Sequence, residues 1–203
     1  MKRTDLALLL GTLLAVGLAS FSSFASECAE IRSNVVRLHI LAHSDSQEDQ
    51  VLKEKVRDAL LERAGDLFAG ASKQAAQAAA NEQLADMEQI ARAVVLAQGF
   101  DYPVCAELVN MYFDTRYYND TPMAAGWYDA VRITIGSGNG QNWWCVMFPP
   151  ICLPAAMPDS AHALEQQIEE MGAVTYRPRF ALLELAEQAQ NKWTGRSERP
   201  VTP

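Results

Sequence analysis

Val35-Val36-Arg37-Leu38-His39-Ile40-Leu41-Ala42, followed closely by Ser44-Asp45-Ser46, is the stretch that decides how this chain folds. Its side chains alternate. Val36, Leu38, Ile40 and Ala42 fall on one side and Val35, Arg37, His39 and Leu41 on the other, the period of two that a strand imposes. Ser44, Asp45 and Ser46 are helix-capping types, because a short side-chain oxygen accepts a bond from an otherwise orphaned backbone N–H. Glu48 and Asp49 suit the positive end of the helix that follows. Val51, Leu52, Val56, Ala59, Leu60 and Arg63 then recur at helical steps, with Gly65 as a stop.

Further along, an Ala-rich helix runs from Ser72 to Gln98 and closes at Gly99. Pro103 to Phe113 reads as a strand continuing to Tyr118, and Tyr128 to Ile135 as a second. Trp143 to Phe148 is a third, returning through Gly136-Ser137-Gly138-Asn139-Gly140, a composition that signals a hairpin. Pro149, Pro150, Pro154 and Pro158 forbid regular structure, since proline fixes φ and lacks a donor. Residues 160–171 read as a helix or a mobile loop, and Phe180 to Trp193 as a last amphipathic helix. The order is strand, two helices, three strands with a hairpin, then a C-terminal helix. It predicts one α+β domain over residues 26–195 with a mainly antiparallel sheet and helices on one face. Residues 196–203 read as a flexible tail.

Upstream of the strand, Lys2 and Arg3 precede an apolar run from Leu6 to Leu18, and Ser23-Phe24-Ala25 offers small residues at the two positions a signal peptidase reads. Residues 1–25 therefore read as a signal peptide cleaved between Ala25 and Ser26, or else as an N-terminal anchor; the run is short for a span, which needs about 20 apolar residues. Either way the remainder crosses a membrane. Glu27 stands where a lipoprotein signal needs a small residue, so Cys28 is not a lipid acceptor.

The formal net charge is −8, and losing the leader makes it one unit more negative. An acidic chain repels phosphate backbones and anionic head groups, which argues against nucleic acid and against a membrane surface as partners of the domain; the charge itself serves solubility. Four cysteines, Cys28, Cys105, Cys145 and Cys152, all follow the leader. In an oxidising compartment an even count suggests disulfides, with Cys145–Cys152 the nearest pair and Cys28–Cys105 a second; four buried thiols is the alternative.

The sequence lacks a Gly-x-Ser-x-Gly elbow, a His-Glu-x-x-His helix and a phosphate loop. His39 and His43 lie about 13 Å apart if the strand persists, too far to share a metal unless it bends and Asp45 joins them. Arg37, His39 and Asp45 form either a recognition patch or bland structure, with Arg37 paired to a helix carboxylate such as Glu54 or Asp58 and the serines only capping. Trp143 and Trp144 must point to opposite faces of their strand. Both are packed by helices, or one is exposed beside a Pro-Pro loop as a binding hot spot. A hydrolase using His39 with Asp45 or Asp114 as acid and base is the rival to a binding role.

Val36 to Gln50, running into Leu52 to Ala59, resembles the opening block of the stage II sporulation protein R family. Asn142-Trp143-Trp144-Cys145-Val146-Met147-Phe148-Pro149-Pro150-Ile151-Cys152 resembles that family's second block. The resemblance covers residues 33–153. His43 is a departure, asparagine being expected there, and Cys28 and Cys105 are not part of the pattern. The resemblance implies a protein secreted from the forespore into the space between forespore and mother-cell membranes. There it would activate a membrane-embedded sporulation aspartic protease on the mother-cell side, leading to processing of the sigma-E precursor. Such a protein is a signal and not an enzyme, with no cofactor, metal or small-molecule substrate. Arg37, His39, Asp45, Trp143 and Trp144 are its candidate partner contacts.

Overall fold

A computed structural model describes residues 3–67, 73–118, 121–148 and 177–201. The proline-rich stretch, residues 160–171 and Cys152 lie outside them. In chain order the elements are α1 (Arg3–Ser33), β1 (Val36–Leu41), α2 (Gln47–Leu67), α3 (Lys73–Glu82), α4 (Leu84–Ala97), β2 (Val104–Phe113), β3 (Arg116–Tyr118), β4 (Thr121–Met123), β5 (Gly126–Ile135), β6 (Asn142–Phe148), α5 (Arg177–Thr194) and β7 (Arg199–Pro200). The α+β class stands.

Helix α2 starts as its capping residues dictate: the Asp49 N–H donates to Ser46 Oγ at 3.2 Å. Helix α4 ends where Gly99 turns the chain at φ +84°, with the Phe100 N–H reaching the Val95 carbonyl at 3.2 Å and the Gly99 N–H the Leu96 carbonyl at 3.0 Å. Those two bonds satisfy carbonyls the helix end would otherwise orphan. The Ala-rich segment is two helices, broken at Gln83, rather than one.

The main sheet has the order β6-β1-β5-β2-β7. Three of its pairings are antiparallel, and β1 runs parallel to β5. This corrects the hairpin expected between β5 and β6, because β1 lies between them. Strand β1 is buried on both faces, so it takes an interior position where both edges are hydrogen-bonded. The glycine-rich loop passes around the end of β1 instead of closing directly: the Gly140 N–H donates to the Ala42 carbonyl at 2.9 Å and Ser137 Oγ to the His43 carbonyl at 2.7 Å.

Helices cover both faces, not one. Val36, Leu38 and Ile40 pack with Leu52, Val56 and Leu60 of α2 and Met87, Ala91 and Val95 of α4. On the opposite face Val35, Val109, Met111, Tyr128 and Val146 pack with Phe24, Cys28 and Ile31 of α1 and Phe180 and Leu183 of α5. The C-terminal stretch is not a free tail at residues 199–201. Asn110 pairs with Arg199 and Val109 with Pro200, and the Val201 N–H donates to the Leu108 carbonyl at 3.0 Å.

Candidate functional site

Alternation along β1 sends Arg37 and His39 to the face covered by α1 and α5, away from α2. Arg37 therefore does not meet Glu54 or Asp58. It is fully buried, with its guanidinium carbon 4.0 Å from the Phe113 ring centre, 5.0 Å from that of Tyr128 and 5.6 Å from that of Tyr118. One terminal nitrogen, Nη2, donates to the Tyr118 hydroxyl on β3, while Nε and Nη1 have no hydrogen-bond partner among the described residues. Burial pulls the guanidinium pKa below its usual value, only partly offset by Tyr118 and Tyr128. A buried cation held by ring faces, without a carboxylate among the described residues, is costly, because ring quadrupoles replace hydration only in part.

His39 stands beside Trp144 across the β1–β6 ladder, and the two rings stack at 3.8 Å with planes 8° apart. Phe113 meets Trp144 edge-on at 4.8 Å, and the exposed Arg116 lies 5.8 Å over Trp144. With Nε2 protonated, His39 donates to Asn142 Oδ1 at 3.0 Å, and its Nδ1 is unpartnered among the described residues. Burial lowers its pKa from 6.5 to about 4; the Asn142 bond opposes this and Arg132 adds to it. The imidazole is neutral at physiological pH.

This burial has a sign that can be measured. Between pH 6.5 and 4 the unfolded chain binds a proton at His39 and the folded chain does not, so stability falls as pH falls through that window and levels off below it. The loss is roughly 3 kcal/mol at about 1.4 kcal/mol per pKa unit. Urea midpoints measured from pH 7 to 4 should fall for the natural chain and fall by visibly less for His39→Phe, which keeps a ring against Trp144. Equal slopes would show that His39 is not the group responsible.

The other sequence candidates fall elsewhere. Trp143 faces the α2 side, half-buried, with the Arg57 guanidinium 5.4 Å from its ring centre. Asp45 is exposed in the turn between β1 and α2. Arg37, His39 and Trp144 thus come together, whereas Trp143 and Asp45 stand apart from them. Sequence reasoning missed Phe113, Tyr118, Tyr128 and Asn142 as parts of the cluster. The strand alternation of Met111 and Phe113 was its one readable sign, since it fixes a face but not which strand lies beside it.

A hydroxyl, an imidazole and a carboxylate do gather near the β1 end, but they are spent on structure. Ser137 Oγ lies 3.3 Å from His43 Nδ1, yet it donates to the His43 carbonyl, and the Ser137 N–H already occupies Nδ1 at 3.0 Å. Asp49 accepts from Ser44 Oγ at 2.5 Å. Burial would raise the Asp49 pKa, but its bonds from Ser44 and Ser46 outweigh that and hold it below the usual value. Lys53, also buried, ties α2 to the glycine loop by donating to the Gln141 carbonyl at 3.0 Å. Among the described residues no group of three His, Cys, Asp or Glu side chains is placed to hold a metal.

Cys28 and Cys105 are free thiols, which corrects their pairing. Cys28 is buried between α1 and the sheet, where burial drives its pKa up to about 12, while Cys105 is exposed at the start of β2. Cys145 is disulfide-bonded.

The architecture is a single α+β domain whose most unusual feature is an aromatic face enclosing a cation. The family model for Stage II sporulation protein R matches residues 32–157, and the chain belongs to that family. It is 35% identical over 123 residues to Stage II sporulation protein R of Bacillus subtilis (strain 168), an alignment covering 60% of this chain and 55% of that protein. The chain thus spans about half the length of the curated relative it matches. No solved structure matches it.

Proposed function

We propose that this chain is an exported sporulation signal. Secreted from the forespore into the space between the two membranes, it binds and activates a membrane-embedded aspartic protease of the mother cell, whose activity leads to processing of the sigma-E precursor. One observation supports a binding role most directly. The two blocks that carry the family resemblance are neighbouring strands, β1 and β6, paired from Arg37 opposite Val146 to Leu41 opposite Asn142. They act as one unit, and the face they share carries Arg37, His39 and the half-buried Trp144.

That face is locally basic and aromatic on a chain of net charge −8. The exposed Arg116 over Trp144 suits a partner surface with a carboxylate beside an apolar anchor, since charge complementarity selects partners and aromatic anchors supply affinity, while the buried Arg37 acts through Phe113, which it touches and which meets Trp144 edge-on. Asp45 and Trp143 would contribute separate contacts. A Cys145–Cys152 disulfide would fix the end of β6. Activation is a population shift: the ligand must bind the active protease better than the inactive one, by about 5.5 kcal/mol for a near-complete switch.

Deletion of the gene in an endospore-forming host tests the reading. Cells should stop after asymmetric septation with the sigma precursor uncleaved on immunoblots, and expression in the forespore alone should restore cleavage. Normal processing in the deletion strain would refute it.

A further inference from the structure

Helix α1 changes character along its length. From Leu6 to Leu18 it is apolar and exposed all round, with Leu8 73% and Leu14 65% accessible. From Phe21 onward it is one-sided: Phe24, Cys28 and Ile31 are buried and Phe21 and Ala25 are partly so, a stripe at three- and four-residue steps. That stripe crosses the expected cleavage point between Ala25 and Ser26 without a break in the helix.

The residues ahead of this point are part of the fold. Phe24 meets Phe180 of α5 edge-on at 5.0 Å, and Arg179 reaches Ser20 Oγ at 3.3 Å and lies 5.9 Å over the Phe24 ring. Arg32, at the other end of the stripe, donates to the Ala125 carbonyl at 2.8 Å and pairs with Glu187 at 2.9 Å. Cleavage after Ala25 would strip Phe21 and Phe24 from this packing. It would also place a new ammonium group in the first turn of the remaining helix, where the helix dipole disfavours positive charge.

We infer that the N-terminal helix is retained and anchors the domain in the bilayer. Residues 3–20, at 1.5 Å each, extend about 27 Å, close to the roughly 30 Å of a hydrocarbon core. Their composition passes as a membrane span, with mean hydropathy 2.0 and none of the window buried in the protein. The occupant of the exposed apolar surface is lipid. Because the same helix continues into the core, no flexible linker separates bilayer from domain, and the domain sits at the membrane surface instead of diffusing through the extracytoplasmic space. The inference rests on α1 packing and stands apart from the signalling reading.

The test is the mass and fractionation of the full chain, carrying a C-terminal epitope tag, in an exporting bacterium. The expected result is an intact N-terminus, recovery in a carbonate-washed membrane pellet, and digestion of the domain by protease added from outside. A Ser23→Arg variant, whose charge blocks the peptidase subsite, should have an unchanged N-terminus and unchanged fractionation. A natural chain whose mass begins at Ser26, or a natural chain that is soluble until Ser23→Arg moves it to the pellet, would overturn the inference. Neither result bears on whether the domain signals.

Discussion

Arg37→Met is expected to leave the domain as stable as the natural chain, or more so, while lowering sigma-precursor processing at least tenfold. The guanidinium is fully buried, and among the described residues two of its nitrogens lack partners and one hydrogen bond, to Tyr118, holds it. Replacing a poorly compensated buried ion with an apolar side chain of similar reach is often neutral or stabilising, whereas truncation leaves a cavity. Arg37→Ala should therefore cost about 3–5 kcal/mol. Being buried, Arg37 would serve recognition only by positioning Phe113 and, through it, Trp144; Met then keeps the fold and loses the signal. Thermal unfolding and immunoblots of precursor cleavage in the same strains separate the two effects. A Met variant that is strongly destabilised, or that signals normally, would make Arg37 a structural filler.

Gly140→Ala is expected to destabilise the domain by about 3 kcal/mol, the upper part of the usual overpacking range. A Cβ there would stand 2.2 Å from the Ser44 carbonyl oxygen and 2.5 Å from its carbon, both backbone atoms that cannot rotate away. The displaced loop would also disturb the Lys53 bond to Gln141 and the Asn142 bond to His39. For a chain of this size the melting temperature should fall by roughly 6–12 °C. Gly99→Ala is the comparison: no described atom lies within 4 Å, so only its positive φ is penalised, about 1 kcal/mol. Circular dichroism melts showing equal losses would mean that the close passage around β1 is not what Gly140 serves.

Local chemistry was legible and spatial neighbours were not. The alternation in β1 and the serine caps of α2 identified both elements, because each depends on residues a few positions apart. The glycine-rich loop was misread for the same reason: its composition specifies a tight reversal but not that another strand end lies inside it. Only the burial of β1 on both faces accounts for its place between β5 and β6. Arg37 was assigned to the right side of its strand, yet α2 packs on the other side, so its surroundings are Phe113, Tyr118 and Tyr128 instead of Glu54 or Asp58. The stripe of Phe21, Phe24, Cys28 and Ile31 was present in the sequence. It went unread because the small residues around Ala25 matched a cleavage signal, and both patterns occupy the same positions.

The account depends most on the domain working outside the cytoplasm by contact with another protein. The direct measurement is sigma-precursor cleavage in a deletion strain expressing, in the forespore only, either the full chain or one lacking residues 1–20. The account predicts cleavage with the full chain and none with the truncated one, at equal levels of folded protein. Cleavage restored by the truncated chain while it remains in the forespore cytosol would contradict it.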